Sequence, residues 1–265
     1  MIIIGEKLNS SIPSAKTAIE QKDRQAVMQL ASAQREAGAD FIDINAGMFL
    51  SKETELLAFL AQTVGKEMSL PLSIDTPSVT AARAALEASG GFGHIINSVT
   101  CEKSRLEGMT ELAGEFSCSV VALCSPESSG ADTLDARLEA ADKLVSRLTS
   151  KGIKAQNIYI DPMLKPIGAQ ETAGIDALET IRRLRALYPD CHISCGLSNL
   201  SFGLPKRRLL NRAFAVAAIT AGLDAAIADP LDRELMGLIA AAEVISGHDE
   251  YCLDFIEKCR GGVIG

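Results

Sequence analysis

Several kinds of site are excluded by what this 265-residue sequence does not contain. Its seven cysteines, at 101, 118, 124, 191, 195, 252 and 259, form no Cys-x-x-Cys pair and are odd in number. A disulfide framework and a structural zinc site are therefore not expected, and the thiols are predicted to be reduced and mostly buried. The three histidines, His94, His192 and His248, are spread along the chain. No strand offers paired histidine and carboxylate ligands at metal spacing, so no metal is expected. No basic run exceeds Lys206-Arg207-Arg208, and the formal net charge is -8 with a pI near 5.0. That leaves no footprint for nucleic acid and suits a partner with a basic patch. No apolar run approaches the ~18 residues of a membrane span, and the opening Met1-Ile2-Ile3-Ile4-Gly5-Glu6-Lys7 does not read as a leader peptide. A cytoplasmic protein is expected.

Nothing in the chain reads as a linker, and 47% hydrophobic with 23% charged residues fits one large core. A single domain over residues 1–265 is expected. The apolar pattern alternates between short β-branched runs and longer stretches of helical spacing. Strands are predicted over 2–4, 41–45, 72–75, 95–97, 120–123, 158–161, 191–195 and 225–228. Helices are predicted over 21–37, 52–64, 78–88, 103–116, 133–150, 174–187, 206–221 and 232–245. Residues 6–14 read as a polar loop, a Ser/Gly/Asp loop precedes the helix at 133, and an added helix over 251–259 packs on the barrel or on another subunit. Eight strand and helix pairs with buried, non-alternating strands point to an α/β fold of the (β/α)8 TIM-barrel type. A doubly wound sheet would carry a Gly-x-Gly-x-x-Gly fingerprint after its first strand, and none is present.

In such a barrel the active site lies at the C-terminal ends of the strands. Polar residues there are Glu6 and Asn9, Asp43 and Asn45, Asp75 and Thr76, Asn97 and Ser98, Asp161, Ser198 and Asn199, and Asp229. Any one Asp before Pro reads equally well as a turn opener. Their recurrence at one end of successive strands reads instead as a pocket floor, a ring of acids without compensating lysines. Such a floor repels phosphate but suits a neutral heterocycle, whose N–H groups the carboxylates accept while Asn97 offers both donor and acceptor. The turn Gly196-Leu197-Ser198-Asn199-Leu200-Ser201-Phe202-Gly203 reads alone as a connector; facing those acids it reads as part of the site.

Ser73-Ile74-Asp75-Thr76, Ile96-Asn97-Ser98, Asp161-Pro162 and the run from Gly196 through Phe202-Gly203-Leu204-Pro205 resemble the pterin-binding methyltransferases. So do Ile4-Gly5-Glu6-Lys7-Leu8-Asn9 and the segment Gly38-Ala39-Asp40-Phe41-Ile42-Asp43-Ile44-Asn45. These barrel enzymes, dihydropteroate synthase-like in fold, move a methyl group between N5 of tetrahydrofolate and a corrinoid cobalt, and include the folate domain of cobalamin-dependent methionine synthase. The resemblance implies that Asp75, Asn97 and Asp161 hold the pterin ring, that Asn199 hydrogen-bonds N5, and that Gly196 and Ser198 shape that wall. It implies that Asp43 supports the network from behind. Arg207 matches a basic position that meets the aminobenzoyl-glutamate tail, with Lys165 and Gln170 as further tail residues. Arg207 also reads simply as a solvated member of its basic run.

A tertiary amine is a poor leaving group, so charge or a strong hydrogen bond must develop on N5. With no histidine or cysteine in the turn, Asn199 is the expected stabiliser, with water as proton carrier. None of the three histidines lies in the Asp-x-His-x-x-Gly motif of corrinoid domains. The resemblance therefore implies a separate corrinoid (cobalamin) protein as partner, tetrahydrofolate or 5-methyltetrahydrofolate as substrate, and a homodimer, with the direction of transfer open. Dihydropteroate synthase is a competing reading. It is weakened by Asn9-Ser10-Ser11-Ile12-Pro13-Ser14 where that enzyme has Asn-x-Thr-Pro-Asp-Ser-Phe, and by the lack of basic residues matching its pyrophosphate side. A non-catalytic folate-binding protein is the other.

Overall fold

A computed structural model describes residues 1–91, 93–125, 133–262 and 264. Eight parallel strands close into a barrel in sequence order, with the first pairing the last. The strands are β1 (Ile2–Asn9), β2 (Phe41–Asn45), β3 (Leu72–Asp75), β4 (Ile95–Val99), β5 (Ser119–Leu123), β6 (Ile158–Asp161), β7 (His192–Gly196) and β8 (Ala225–Ala228). Around them lie α1 (Pro13–Glu20), α2 (Arg24–Glu36), α3 (Glu53–Leu60), α4 (Val79–Ser89), α5 (Lys103–Glu115), α6 (Leu134–Ser150) and α7 (Ala173–Leu187). A short α8 (Leu197–Leu200), α9 (Arg207–Ala221), α10 (Arg233–Ile245) and α11 (Leu253–Arg260) follow. The Ser/Gly/Asp loop expected before α6 falls largely on 126–132, outside the described residues.

Strand residues alternate between two cores. Ile3, Ile42, Ile44, Leu72, Ile74, Ile96, Ile158 and Ile160 face outward and join the helices in the large core. Ile4, Ile95, Val121, Tyr159 and Ala225, flanked by Ile2, Phe41 and Ile227, form a separate inner plug. Side chains two residues apart share a face of a strand. The inward positions above this plug are therefore Glu6, Asp43, Asn97, Leu123 and Asp161, and all five line one cavity. The interior thus changes from apolar to polar along the barrel axis.

The segment expected as a loop over 6–14 is corrected. β1 continues to Asn9, and α1 starts at Pro13 with Ala15 and Ile19 buried. The polarity of Glu6 and Lys7 reflects an interior cavity rather than solvent. Gly5 pairs with Ile42 but Leu8 with Ile44, so β1 holds one extra residue, a bulge that brings both Glu6 and Lys7 to the cavity. Gln34 of α2 takes over the displaced backbone: its Oε1 accepts from Lys7 N–H at 2.9 Å. The helix expected over 52–64 also differs, since regular α-structure ends at Leu60 and a wider π-type segment, Ala61–Glu67, follows. The turn after β7 is not wholly irregular, because α8 occupies its first half. At the C-terminus, Phe255 of α11 packs against the large core and Ile264 is buried in it, so this segment lies on the barrel.

The bulge requires a residue without a side chain at position 5. A Cβ there would lie 2.6 Å from Gln34 Oε1 and 3.3 Å from Ala39 Cβ. Gly5→Ala should lower unfolding stability by about 1–3 kcal/mol, as overpacking does. Urea denaturation would then give a lower midpoint at unchanged slope; an unchanged midpoint contradicts this account of the bulge.

Candidate active site

A cavity of about 720 Å³ opens at the C-terminal ends of the strands. It is lined by Asp43, Asp75, Asn97, Asp161, Gly196, Ser198, Asn199 and Arg207, so every residue singled out for ring or N5 contact, and Arg207, is brought together. Lys165 and Gln170 do not line it; the Gln170 amide nitrogen donates to Thr172 Oγ1 and Asp176 Oδ2 instead.

The acids sit in a hydrogen-bonded frame drawn from neighbouring strands. Asp75 pairs in register with Asn45 on one side and Asn97 on the other. Asn45 Nδ2 donates to Asp75 Oδ2 at 2.8 Å. Asp43 Oδ1 accepts from Ser73 Oγ at 2.7 Å and from Asn97 Nδ2 at 3.2 Å. Asp43 therefore fixes the Asn97 side chain while itself bordering the cavity. Asp161 Oδ1 accepts from the Met163 N–H at 2.7 Å.

Burial disfavours the charged form of each carboxyl group. It pushes Asp161 up to about 7, against the pull of the Met163 N–H bond and the Arg137 charge. Asp43 is raised well above the usual range, first by burial and then by the nearby charge of Asp75. Burial raises Asp75 too, opposed by the Asn45 hydrogen bond and the Arg105 guanidinium. Glu6 is raised chiefly by burial. Such a set of buried acids, with carboxyl oxygens left open toward the cavity, is suited to meeting the N–H groups of a flat polar ring.

The picture of acids without compensating bases is corrected. Lys7 and Arg105 join Arg207 in the cavity wall. Lys7 Nζ pairs with Asp229 Oδ2 at 2.9 Å. Arg105, in the first turn of α5, donates from Nε to Ser98 O at 2.9 Å and from Nη2 to Ser98 Oγ at 3.0 Å. Nothing in the sequence marks Arg105 beyond its place after β4, and Lys7 was hidden by the bulge. Ser73 could have been found, since it lies two residues before Asp75 and shares its inward face.

On the β7 side, Arg207 is no purely solvated residue. Its Nη2 donates to Ser198 O at 2.7 Å, its Nε to Ser201 Oγ at 3.2 Å, and its guanidinium lies 5.7 Å from the ring centre of Phe202. Ser198 Oγ donates to Glu6 Oε1 at 2.7 Å. The Asn199 amide lies over Gly196, where a Cβ would come within 3.1 Å of its Nδ2. Gly196 thus provides the space this amide uses. No group of three or more metal-ligating side chains occurs among the described residues.

Comparison with known proteins adds sequence likeness to this geometry. Residues 5–229 match the family described as pterin binding enzyme. A protein of Eubacterium limosum named methylcorrinoid:tetrahydrofolate methyltransferase is 34% identical, covering 100% of this chain and 98% of its own. Methionine synthase of Mycobacterium leprae is 31% identical over 86% of this chain, which spans 20% of that longer protein. A solved dihydropteroate synthase from Yersinia pestis, in complex with a sulfonamide drug, superposes with a TM-score of 0.72 at 17% identity, covering 93% of this chain and 94% of its own. That likeness concerns the fold alone.

The elevated Asp161 has a consequence for stability. A carboxyl group raised to about 7 lends its stability in full below its unfolded value of about 4 and loses it as pH rises through 7. Asp161→Asn, which cannot ionise, should be favoured over the wild type increasingly from pH 4 to pH 8, by up to about 4 kcal/mol. Parallel pH profiles of unfolding free energy for the two proteins would contradict this.

Proposed function

Because the chain belongs to the pterin-binding enzyme family, we propose that it is a methyltransferase moving a methyl group between N5 of tetrahydrofolate and the cobalt of a corrinoid carried by a separate protein. The observation that carries this reading is the convergence of Asp75, Asn97 and Asp161 with the Asn199 amide on one cavity, together with the full-length likeness to the Eubacterium limosum enzyme. The corrinoid supplies or accepts the methyl group; everything else is done by this chain's side chains. Asp75 and Asp161 accept N–H groups of the pterin, and Asn97, anchored by Asp43, meets its amide edge. The ring is thereby set with N5 toward the wall built by Gly196, Ser198 and Asn199. There the Asn199 amide oxygen stabilises the positive charge that develops on N5 as its bond to methyl breaks or forms, while water delivers the proton that N5 gains on losing methyl or removes the one it sheds on gaining it. Arg207, at the cavity rim beside Phe202, receives the anionic tail of the folate.

The Eubacterium limosum relative, matched over nearly its whole length, is named for transfer from methylcorrinoid to tetrahydrofolate. We assign the same direction to this chain. The protein works in the cytoplasm as a homodimer of one pterin-binding domain. Seven cysteines, none in a disulfide among the described residues, fit a reducing compartment, and the exposed Leu238, Ile245 and Leu253 of α10 and α11 fit a covered face. No helix among the described residues is long and apolar enough to cross a membrane.

The purified protein should form methyltetrahydrofolate from tetrahydrofolate and free methylcobalamin, and methylcobalamin from methyltetrahydrofolate and cob(I)alamin. Folate binding without transfer in either direction would identify a carrier instead. Asn199→Ala should slow transfer by about 10²-fold and leave folate affinity within about threefold, because the amide acts on charge present mainly in the transition state. A loss confined to affinity would remove Asn199 from this role.

A further inference from the structure

We propose that Glu6 is a positioning residue for Asn199, acting through the hydroxyl of Ser198; the inference rests on the methyl-transfer reading above. Among the described residues the Asn199 side-chain amide makes no hydrogen bond, so its aim depends on the backbone of the Ser198–Asn199 peptide. That backbone is held from two sides. The Ser198 carbonyl accepts from Arg207 Nη2 at 2.7 Å, and the Ser198 hydroxyl donates to Glu6 Oε1 at 2.7 Å. The second tie joins residues 192 positions apart and runs from β1 to α8 past the closing strand β8.

Glu6 has little other reason to be where it is. It is a largely buried carboxyl group that forms no ion pair among the described residues. The cations near it are engaged elsewhere: Lys7 pairs with Asp229, and Arg207 donates to Ser198 and Ser201. Asp229 adds a repulsive charge. Burying a carboxyl group under these conditions opposes folding. The inward parity it shares with Ile2 and Ile4 nevertheless places Glu6 in the cavity wall, where its side-chain hydrogen bond goes to the residue next to Asn199. Fixing a reacting amide in this way is the kind of restraint on which rate depends more strongly than binding does.

The test is methyl transfer between methylcobalamin and tetrahydrofolate, with tetrahydrofolate affinity measured separately, for wild type, Glu6→Ala, Glu6→Gln, Ser198→Ala and the double variant Glu6→Ala/Ser198→Ala. Glu6→Ala and Ser198→Ala should each lower kcat about tenfold with KM for folate within about threefold. Glu6→Gln should recover most of that loss, since its amide oxygen accepts the same hydroxyl. The double variant should be no slower than either single one, as two residues acting through one contact require. Multiplying losses, a loss confined to KM, or a Glu6→Gln as slow as Glu6→Ala would each overturn the proposal. Should Glu6→Ala not fold, an undiminished kcat in Ser198→Ala would overturn it alone. A wild type that transfers no methyl in either direction overturns the methyl-transfer reading and this role with it, whereas an active wild type with the contrary pattern overturns only the role of Glu6.

Discussion

Keeping several carboxyl groups inside one barrel is the constraint from which most of this structure follows. Each of Asp43, Asp75, Asp161 and Glu6 is raised by its own burial, and the charge of Asp75 raises Asp43 further. The surrounding residues answer that problem one acid at a time. Ser73 and Asn97 donate to Asp43, Asn45 donates to Asp75, and the Met163 N–H donates to Asp161. Few cations take part at close range, so the acids keep unspent capacity to accept hydrogen bonds from a guest. A barrel packed with salt bridges at the same positions would be quieter and unable to recognise a polar ring.

Much of the architecture was legible because short buried β-branched runs alternate with stretches of helical period; the parity within each strand is what the structure adds. Phe41 and Asp43, Ile95 and Asn97, Tyr159 and Asp161 are pairs two residues apart, apolar below and polar above, and the structure places both members of each pair inside. The eight strand and helix units were readable from periodicity for the same reason: outward isoleucines and leucines need helices to cover them. The turn at Gly196 became informative only through its position opposite the acids.

What stayed hidden was hidden by departures from that periodicity. A bulge looks like a loop in sequence, and so residues 6–14 read as a polar loop after a short strand: Glu6 and Asn9 count among the strand-end polar residues, but Lys7 does not. Arg105 reaches the cavity from a helix rather than a strand end, and no period relates it to Asp75. The Arg207 contacts to Ser198 and Ser201 depend on how α9 folds back over the turn, a tertiary fact that spacings of nine and six residues do not encode.

The closure of β1 onto β8 has a meaning beyond geometry. Ile2 through Gly5 can find Ala225 through Ala228 only after nearly the whole chain has been made, and the contact between Glu6 and Ser198 spans almost the same interval. A partly assembled sheet would already hold Asp43, Asp75 and Asn97 on consecutive strands, and so possess half a pocket. It would lack the contact between Glu6 and Ser198 beside Asn199. On the proposed reading, the residues for ring recognition and those for bond breaking would come together at different stages of the chain's assembly, the second only when the barrel closes.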